Sequence, residues 1–189
     1  MSSASRDGFI YELLLEKLTK RLNQIEARHK YLSYLINTRF RNEKLLQIEV
    51  MIIVSAMDEV IDYLPEKPYP NNPSEKCDVW FKTIDDTEYW GEIKMIPTNY
   101  RFSTYYHSKG IKRSIDSLIR DIRRLKANAP RNAEKFVLFT VYPMYEDSYR
   151  YFSKQLERIS SACCKEVKSP SKRIEVGDAC FDIYLIEVQ

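Results

Sequence analysis

The chain has 189 residues, of which 30% are charged and 44% hydrophobic, and these values are ordinary for one soluble globular domain. Its net charge of +3 is too small to indicate nucleic-acid binding by itself. The chain has only four glycines, and this small number disfavours a glycine-rich phosphate loop or a dinucleotide-binding motif. No apolar run approaches the ~18 residues of a membrane span, no secretory signal is recognisable, and the cysteines lack a CxxC spacing. We therefore expect a single domain over residues 1–189, cytoplasmic, with reduced thiols and no membrane partner.

The first part of the chain is predicted to be mainly helical. Apolar side chains recur at helical spacing over residues 6–36, which indicates one long helix or two shorter ones. A further helix is predicted from about residue 42 to residue 63, with Pro65 ending it. Residues 67–70 then indicate a short edge strand or extended segment, and residues 71–74 indicate a turn.

The rest of the chain alternates strands and helices. Residues 77–83 and 88–96 are predicted to be short strands joined by a polar turn. Residues 136–142 form a continuous apolar run between two prolines, which is typical of a central strand buried on both faces. The other predicted elements are a polar and aromatic loop at 97–107, an amphipathic helix at 109–127, a helix at 148–166, a loop at 167–178 and a last strand at 179–188.

Among the charged residues of the two short strands, Asp78, Glu92 and Lys94 are the most informative. Charged side chains rarely lie inside apolar strands unless they are paired or bind a metal. Alternate residues of a strand point to the same face, so Glu92 and Lys94 project together. Two carboxylates and a lysine that converge on a sheet can hold a magnesium ion and a water beside a phosphodiester. The alternative is an ion pair on a solvated face, which the apolar surroundings disfavour.

The register of this hairpin provides a structural test. Residues that face each other across antiparallel strands have their side chains on the same face of the sheet. Asp78 therefore lies on the same face as Glu92 and Lys94 only if the two residue numbers of each facing pair add to an even number. A two-residue loop at Asp85 and Asp86 pairs residue 84 with residue 87, which gives an odd sum and places Asp78 on the opposite face. A three-residue loop at 85–87 pairs residue 84 with residue 88 and sets Asp78 across from Lys94. We therefore predict an odd-numbered loop or a bulge.

The pattern of Asp78 followed by Glu92-Ile93-Lys94 resembles the PD-(D/E)xK nuclease superfamily, with Cys77 at the position of the proline in that name. The resemblance covers roughly residues 38–145. It implies an α/β protein with a restriction-endonuclease-like αβββαβ core at 38–145, in which a mixed central sheet is flanked by helices. Residues 1–37 would add one or two N-terminal helices, and residues 146–189 a C-terminal helix and strand.

The resemblance also implies the chemistry of the site. Asp78 and Glu92 would be direct ligands of Mg²⁺, joined by the backbone carbonyl of Ile93, and Mn²⁺ could substitute. Lys94 would orient or help to deprotonate the attacking water and would stabilise the transition state.

A glutamate from the preceding helix is expected to complete the site. Glu49 is the one charge in the apolar run of residues 45–54, and a lone carboxylate there is costly unless it faces a cation or a donor. We therefore include Glu49 among the predicted catalytic residues. Glu43 is the rival, because residues 42–47 also look like the opening of the helix in that family.

Substrate contacts are predicted in the loop after the second strand and at the start of the next helix. Basic and aromatic side chains can neutralise phosphates and stack on unpaired bases, although a solvated helix face and a structural loop are the alternatives. The predicted nucleic-acid-binding residues are Arg101, Tyr105, His107, Lys109, Lys112 and Arg113.

The function that these features predict is metal-dependent hydrolysis of phosphodiester bonds in nucleic acid. DNA is favoured over RNA, with an endonuclease of the restriction, repair or defence type as the main interpretation. A homodimer is expected because cutting both strands usually needs two active sites. The alternatives are a catalytically inactive nucleic-acid-binding or protein-interaction module on the same fold, and an unrelated α/β interaction protein whose charges are structural pairs.

Overall fold

The computed structural model describes residues 6–98 and 109–189, which form five α-helices, a mixed sheet of six strands and a separate two-stranded sheet. The helices are α1 (Arg6–His29), α2 (Tyr31–Thr38), α3 (Glu43–Ser55), α4 (Lys109–Asn128) and α5 (Tyr149–Cys163). The strands are β1 (Val60–Pro65), β2 (Pro68–Tyr69), β3 (Asn72–Lys76), β4 (Val79–Thr83), β5 (Glu88–Pro97), β6 (Glu134–Met144), β7 (Lys172–Val176) and β8 (Ala179–Glu187). None of the helices in these two ranges combines the length and apolar character that a bilayer crossing requires.

The main sheet has the strand order β1-β4-β5-β6-β8-β7. Strands β5 and β6 are parallel, and the other neighbours are antiparallel. The connection between the parallel strands contains α4, as the crossover of a parallel pair requires. The α/β class expected from the sequence is therefore confirmed, with helices on both faces of the sheet.

Alternation along the strands assigns each face of the sheet to a different set of helices. On β5, Tyr89, Ile93 and Met95 belong to the core shared with α1, α2 and α3. Trp90 and Ile96 belong to the core shared with α4 and α5. Strand β6 is buried almost throughout, which agrees with the central position predicted for residues 136–142.

The predicted helical region at 6–36 occurs as two helices. Lys30 adopts a left-handed backbone conformation with φ of 53°, which ends the first helical run and turns the chain. The Glu26 carboxylate then accepts hydrogen bonds from the amides of Leu32 at 2.7 Å and Ser33 at 3.1 Å. These two amides have no partner within the first turn of α2, so Glu26 supplies the acceptor that the helix start needs.

Two predicted boundaries are wrong. The helix expected to run to residue 63 ends at Ser55, and the segment from Val60 to Pro65 forms β1. This segment is rich in β-branched and aromatic residues, and pairing with β4 satisfies its backbone. Strand β1 rather than residues 67–70 is thus the first strand of the main sheet. The loop predicted at 167–178 contains β7, which pairs with β8.

The hairpin of β4 and β5 has the odd-numbered loop that the sequence predicts. Val79 faces Gly91 and Lys82 faces Glu88, so facing position numbers give even sums. The amide of Thr83 donates to the carbonyl of Thr87 at 3.0 Å, which encloses residues 84–86. The register differs by two residues from the one that would set Asp78 across from Lys94.

Gly91 on β5 leaves space for the ring of Phe136 on β6. A Cβ atom there would lie 2.2–2.7 Å from ring atoms of Phe136, which faces Gly91 across the parallel pair. Only glycine therefore leaves room for this ring in the core directly beside Glu92.

Candidate functional site

The candidate site lies at the end of the β4–β5 ladder. Strand β4 begins at Val79 opposite Gly91, whereas β5 continues to Pro97, and among the described strands only β6 pairs with that last part. The start of α3 and the side of α4 approach this free edge. A cavity of about 200 Å³ opens there, lined by Glu43, Lys44, Gln47, Glu66, Asp78 and Ile93.

Asp78 lies at a bend that directly precedes β4. Its amide donates to the carbonyl of Gly91 at 3.1 Å, although Val79 is the residue that faces Gly91. Two consecutive residues, Asp78 and Val79, thus lie opposite the single residue Gly91, which is typical of a β-bulge, and a bulge changes the direction of the Asp78 side chain. One oxygen of the Asp78 carboxylate, Oδ2, accepts a hydrogen bond from the amide of Ile93 at 2.7 Å. The carbonyl of Asp78 accepts from the side-chain amide of Gln47 at 2.5 Å, which ties the bend to α3.

Glu92 is buried, with an exposure of 2%, and is held from two directions. The hydroxyl of Tyr69 donates to Glu92 Oε1 at 2.5 Å, and Arg124 Nη2 donates to the same oxygen at 2.8 Å. Tyr69 comes from the β2–β3 hairpin and Arg124 from α4. Two separate elements therefore fix one oxygen of the carboxylate, and the second oxygen is left for another partner.

The carboxyl groups of Asp78 and Glu92 are neighbours, and each changes the pKa of the other. Burial raises the pKa of Glu92 to about 8, with the neighbouring charge of Asp78 as the next cause. Tyr69 and Arg124 act in the opposite direction and are outweighed. Burial also raises the pKa of Asp78. The pair therefore favours holding a proton, or a cation, between its two acids.

Lys94 projects between the two flanking helices. Its Nζ atom lies 3.1 Å from Asp121 Oδ2 on α4 and 3.3 Å from Glu43 Oε2 on α3. Burial acts to lower the pKa of Lys94, but Asp121 and Glu43 outweigh it and raise the pKa above its ordinary value. Asp121 also lies 3.4 Å from Arg124, so one carboxylate orients both cations of the site. Lys94 is consequently a charged group in the resting protein.

The glutamate of α3 at this site is Glu43, which corrects the prediction of Glu49. Glu43 contacts Lys94 and also accepts from the amide of Met95 at 3.4 Å. Glu49 is buried against α1, where it forms an ion pair with Arg21. The two glutamates are six residues apart, so at 3.6 residues per turn they face different sides of the helix. Glu49, the lone carboxylate of the apolar run, therefore does face a cation, but that cation is Arg21, and the ion pair joins α3 to α1.

The β2–β3 hairpin is packed against the sheet by aromatic side chains. Tyr69 stacks on Trp90 with ring centroids 5.5 Å apart, and the ammonium of Lys67 lies 2.9 Å from the ring centre of Trp80. A cation over an indole face and a stacked aromatic pair are both attractive arrangements. Cys77 lies beneath this hairpin, and burial raises the pKa of its thiol to about 12. The thiol is therefore an inert part of the packing.

The backbone carbonyl of Ile93 has an orientation compatible with its predicted role. The amide and carbonyl of one strand residue point to the same side of the strand, and the Ile93 amide points toward Asp78. Mg²⁺ commonly uses one or two carboxylates and fills its other positions with water or phosphate. Within residues 6–98 and 109–189, no group of three or more Asp, Glu, His or Cys side chains is arranged to hold a metal ion. The donor set here is accordingly two carboxylates and a carbonyl.

The predicted substrate-binding residues are only partly described. Arg101, Tyr105 and His107 lie outside the described residues, and Lys109 is the first residue of α4. Lys112 and Arg113 are exposed on α4. Tyr69, Asp121 and Arg124 were not among the site residues predicted from the sequence. The available signal was the i, i+3 spacing of Asp121 and Arg124 on α4, and Asp116 has similar spacings to basic residues on the same helix.

Comparisons of the chain with family models, curated proteins and solved structures find no match. The geometry of the site is therefore the basis on which a function can be assigned.

Proposed function

We propose that this chain is a metal-dependent nuclease that hydrolyses phosphodiester bonds in nucleic acid. The observation that carries the proposal is that the partly buried carboxylate of Asp78, which accepts from the amide of Ile93, lies beside the buried Glu92 and near Lys94 at the end of the β4–β5 ladder. DNA is the proposed substrate, and an endonuclease of the restriction, repair or defence type is the proposed role. A homodimer in the cytoplasm is part of this proposal, since cutting both strands of a duplex usually takes two active sites.

The order of elements supports the same proposal. Helix α3, the antiparallel strands β1, β4 and β5, helix α4 and the parallel strand β6 follow one another as αβββαβ, with the small β2–β3 hairpin inserted. We propose that this arrangement is the restriction-endonuclease-like fold. The N-terminal helices and the C-terminal helix and strands extend it at either end.

A divalent cation fits the donors of this site. Two neighbouring carboxyls repel each other when both are charged, and a cation between them would remove that repulsion. Asp78, Glu92 and the carbonyl of Ile93 would hold Mg²⁺ or Mn²⁺. When bound, the ion would supply a water of lowered pKa and would neutralise charge on the scissile phosphate.

The protein residues have separable roles in this mechanism. Tyr69 and Arg124 are positioning residues that fix Oε1 of Glu92, so Oε2 is available for the ion. Lys94 is charged, and from the free edge of the sheet it would stabilise the additional negative charge of the transition state. Its raised pKa argues for this electrostatic role and against deprotonation of water. Glu43 would orient Lys94 from α3.

The direct test is cleavage of plasmid and oligonucleotide substrates in Mg²⁺, Mn²⁺ or EDTA. Asp78→Asn, Glu92→Gln and Lys94→Ala should each lower metal-dependent cleavage by about 100-fold or more, since each removes part of a preorganised electrostatic site. Matched controls are Asp62→Asn and Lys172→Ala, which make similar changes at exposed positions on edge strands and should retain cleavage. Full activity in all three site variants would rule the proposal out.

The ion pair between Arg124 and Glu92 favours a second candidate function. A guanidinium that already neutralises Glu92 can replace a cation, which suits a nucleic-acid-binding module without catalysis. Thermal unfolding with and without Mn²⁺ separates the two. A nuclease should show stabilisation by Mn²⁺ that Asp78→Asn abolishes, whereas the binding module should show nucleic-acid binding but no response to the metal.

A further inference from the structure

We propose that the groove between α4 and α5 binds the sugar–phosphate backbone of nucleic acid at a position separate from the catalytic edge. The groove is an open cavity of about 1130 Å³. Its lining residues are Asp116, Ile119, Arg120, Arg123, Lys126, Ala127, Glu157, Arg158, Ser161 and Ala162. The proposal deepens the nuclease assignment and rests on it for the class of ligand.

Two of the three arginines that line the groove are available for a ligand. Arg120 and Arg123 are exposed, and neither forms a hydrogen bond or ion pair with a residue in the described ranges. Lys126, one turn further along α4, contacts the carbonyl of Ala162 at 3.3 Å and the thiol of Cys164 at 3.2 Å. Arg120 acts on Asp116, one turn earlier, through its charge, but the ion pair of Asp116 is with Arg158. Three cations therefore follow one another along α4, and none of them forms an ion pair within the described ranges.

The acidic residues of the groove do not cancel its positive charge. Asp116 is paired with Arg158 across the two helices at 2.5 Å, and Glu157 is exposed. Four basic and two acidic residues line the groove, so its net charge is +2, compared with +3 for the whole chain. A protein of mild overall charge thus has most of its excess positive charge on one concave surface, where polyanions are attracted most strongly.

The spacing of the cations suits a phosphate backbone. Positions 120, 123 and 126 rise by about 9 Å along the helix at 1.5 Å per residue. One strand of duplex DNA carries a charge every ~3.4 Å of its axis, so this row spans about two to three phosphates. Arginine is also the side chain best suited to bidentate contacts with phosphate.

Helix α4 separates the groove from the catalytic edge. Asp121 and Arg124 project from one flank of α4 toward Lys94 and Glu92, whereas Arg120 and Arg123 line the other flank. A strand that crosses this helix, which is about 10–12 Å wide, could contact both flanks. The groove would then hold nucleic acid a few nucleotides from the bond that is cut.

The test is binding of a fluorescein-labelled oligonucleotide duplex in EDTA, followed by anisotropy at several salt concentrations. The double variant Arg120→Glu/Arg123→Glu should bind at least about tenfold more weakly. Its log–log salt slope should fall by about 1.8, since each lost phosphate contact removes about 0.9. The control Lys154→Glu/Lys172→Glu makes the same charge change at exposed positions outside the groove and should keep most of the affinity.

Equal losses in the two double variants would overturn the proposal, because they would reflect net charge alone. Unchanged affinity in the groove variant would also overturn it. A labelled polyglutamate peptide that bound the groove as tightly as the duplex would indicate an acidic protein partner instead. Binding that depends on Arg120 and Arg123 without cleavage in Mg²⁺ would support the groove and refute the nuclease. Cleavage with groove-independent binding would do the reverse.

Discussion

The buried acid pair predicts that the metal-free protein loses stability as the pH rises. The pKa of Glu92 is raised from 4.5 to about 8 in the folded chain. A carboxyl whose folded pKa lies above its unfolded value contributes stability that is fully present below about pH 4.5, and that contribution is lost as the pH rises through about 8. Above the higher value, ionisation of Glu92 beside Asp78 costs the folded state about 5 kcal/mol, at 1.36 kcal/mol per pKa unit.

The assay is urea unfolding followed by circular dichroism in EDTA, from about pH 5 to about pH 9. Glu92→Gln keeps the shape of the side chain and removes the titrating group. The free energy of unfolding of the unmodified chain, relative to this variant, should fall by about 1.4 kcal/mol per pH unit between about pH 5 and about pH 8, and then level off. Glu12→Gln, at an exposed position on α1, is the matched control and should follow the unmodified chain.

A difference between the unmodified chain and Glu92→Gln that stays constant over this range would refute the reasoning. The acid pair would then ionise as freely in the folded chain as in the unfolded one. Asp78→Asn gives an internal check, because removing the neighbouring charge should move the fall in stability to lower pH. Saturating Mn²⁺ should suppress the fall in the unmodified chain, since the ion replaces the proton between the two carboxylates.

Three further predictions concern the surroundings of the pair. Tyr69→Phe, which keeps the ring and removes the donor hydroxyl, should weaken Mn²⁺ binding by about 10-fold or more in calorimetric titration; an unchanged affinity would show that the hydroxyl positions nothing. Gly91→Ala should lower the free energy of unfolding by about 1–3 kcal/mol in urea through overpacking against Phe136, and Phe136→Leu should recover part of that loss; stability equal to the unmodified chain would contradict the close approach. Glu43→Gln should reduce cleavage of plasmid DNA by about tenfold or more, whereas Glu49→Gln should retain it and lower the melting temperature; the opposite ranking would restore the assignment made from the sequence.

Local patterns in the sequence predicted much of the sheet and the hairpin geometry. The apolar run at residues 136–142 indicated the central strand β6, and the parity argument indicated an odd-numbered loop, which lies at residues 84–86 rather than at the predicted 85–87. Both depend on periodicity within a few residues. The segment at 56–63 was misassigned because its apolar residues are compatible with a helix, and pairing with β4 decides the outcome.

The composition of the site was less predictable than its two strands. Tyr69 reaches Glu92 from 23 residues away, and Arg124 reaches it from 32 residues away. Such contacts depend on how the hairpin and α4 pack on the sheet, which no local pattern specifies. The choice between Glu43 and Glu49 could not be made from local patterns either. The apolar residues around Glu49 indicate that it is buried, but not whether it packs against α1 or against the sheet edge near Lys94.

The aromatic packing of the β2–β3 hairpin also gives this protein an intrinsic optical reporter. Trp80 and Trp90 are the only tryptophans in the sequence. One lies under the ammonium of Lys67, and the other stacks on Tyr69, whose hydroxyl donates to Glu92. Any event that shifts the hairpin would change the emission of both indoles without an added label. Ligand binding at the candidate site could therefore be followed by stopped-flow fluorescence on the unmodified chain.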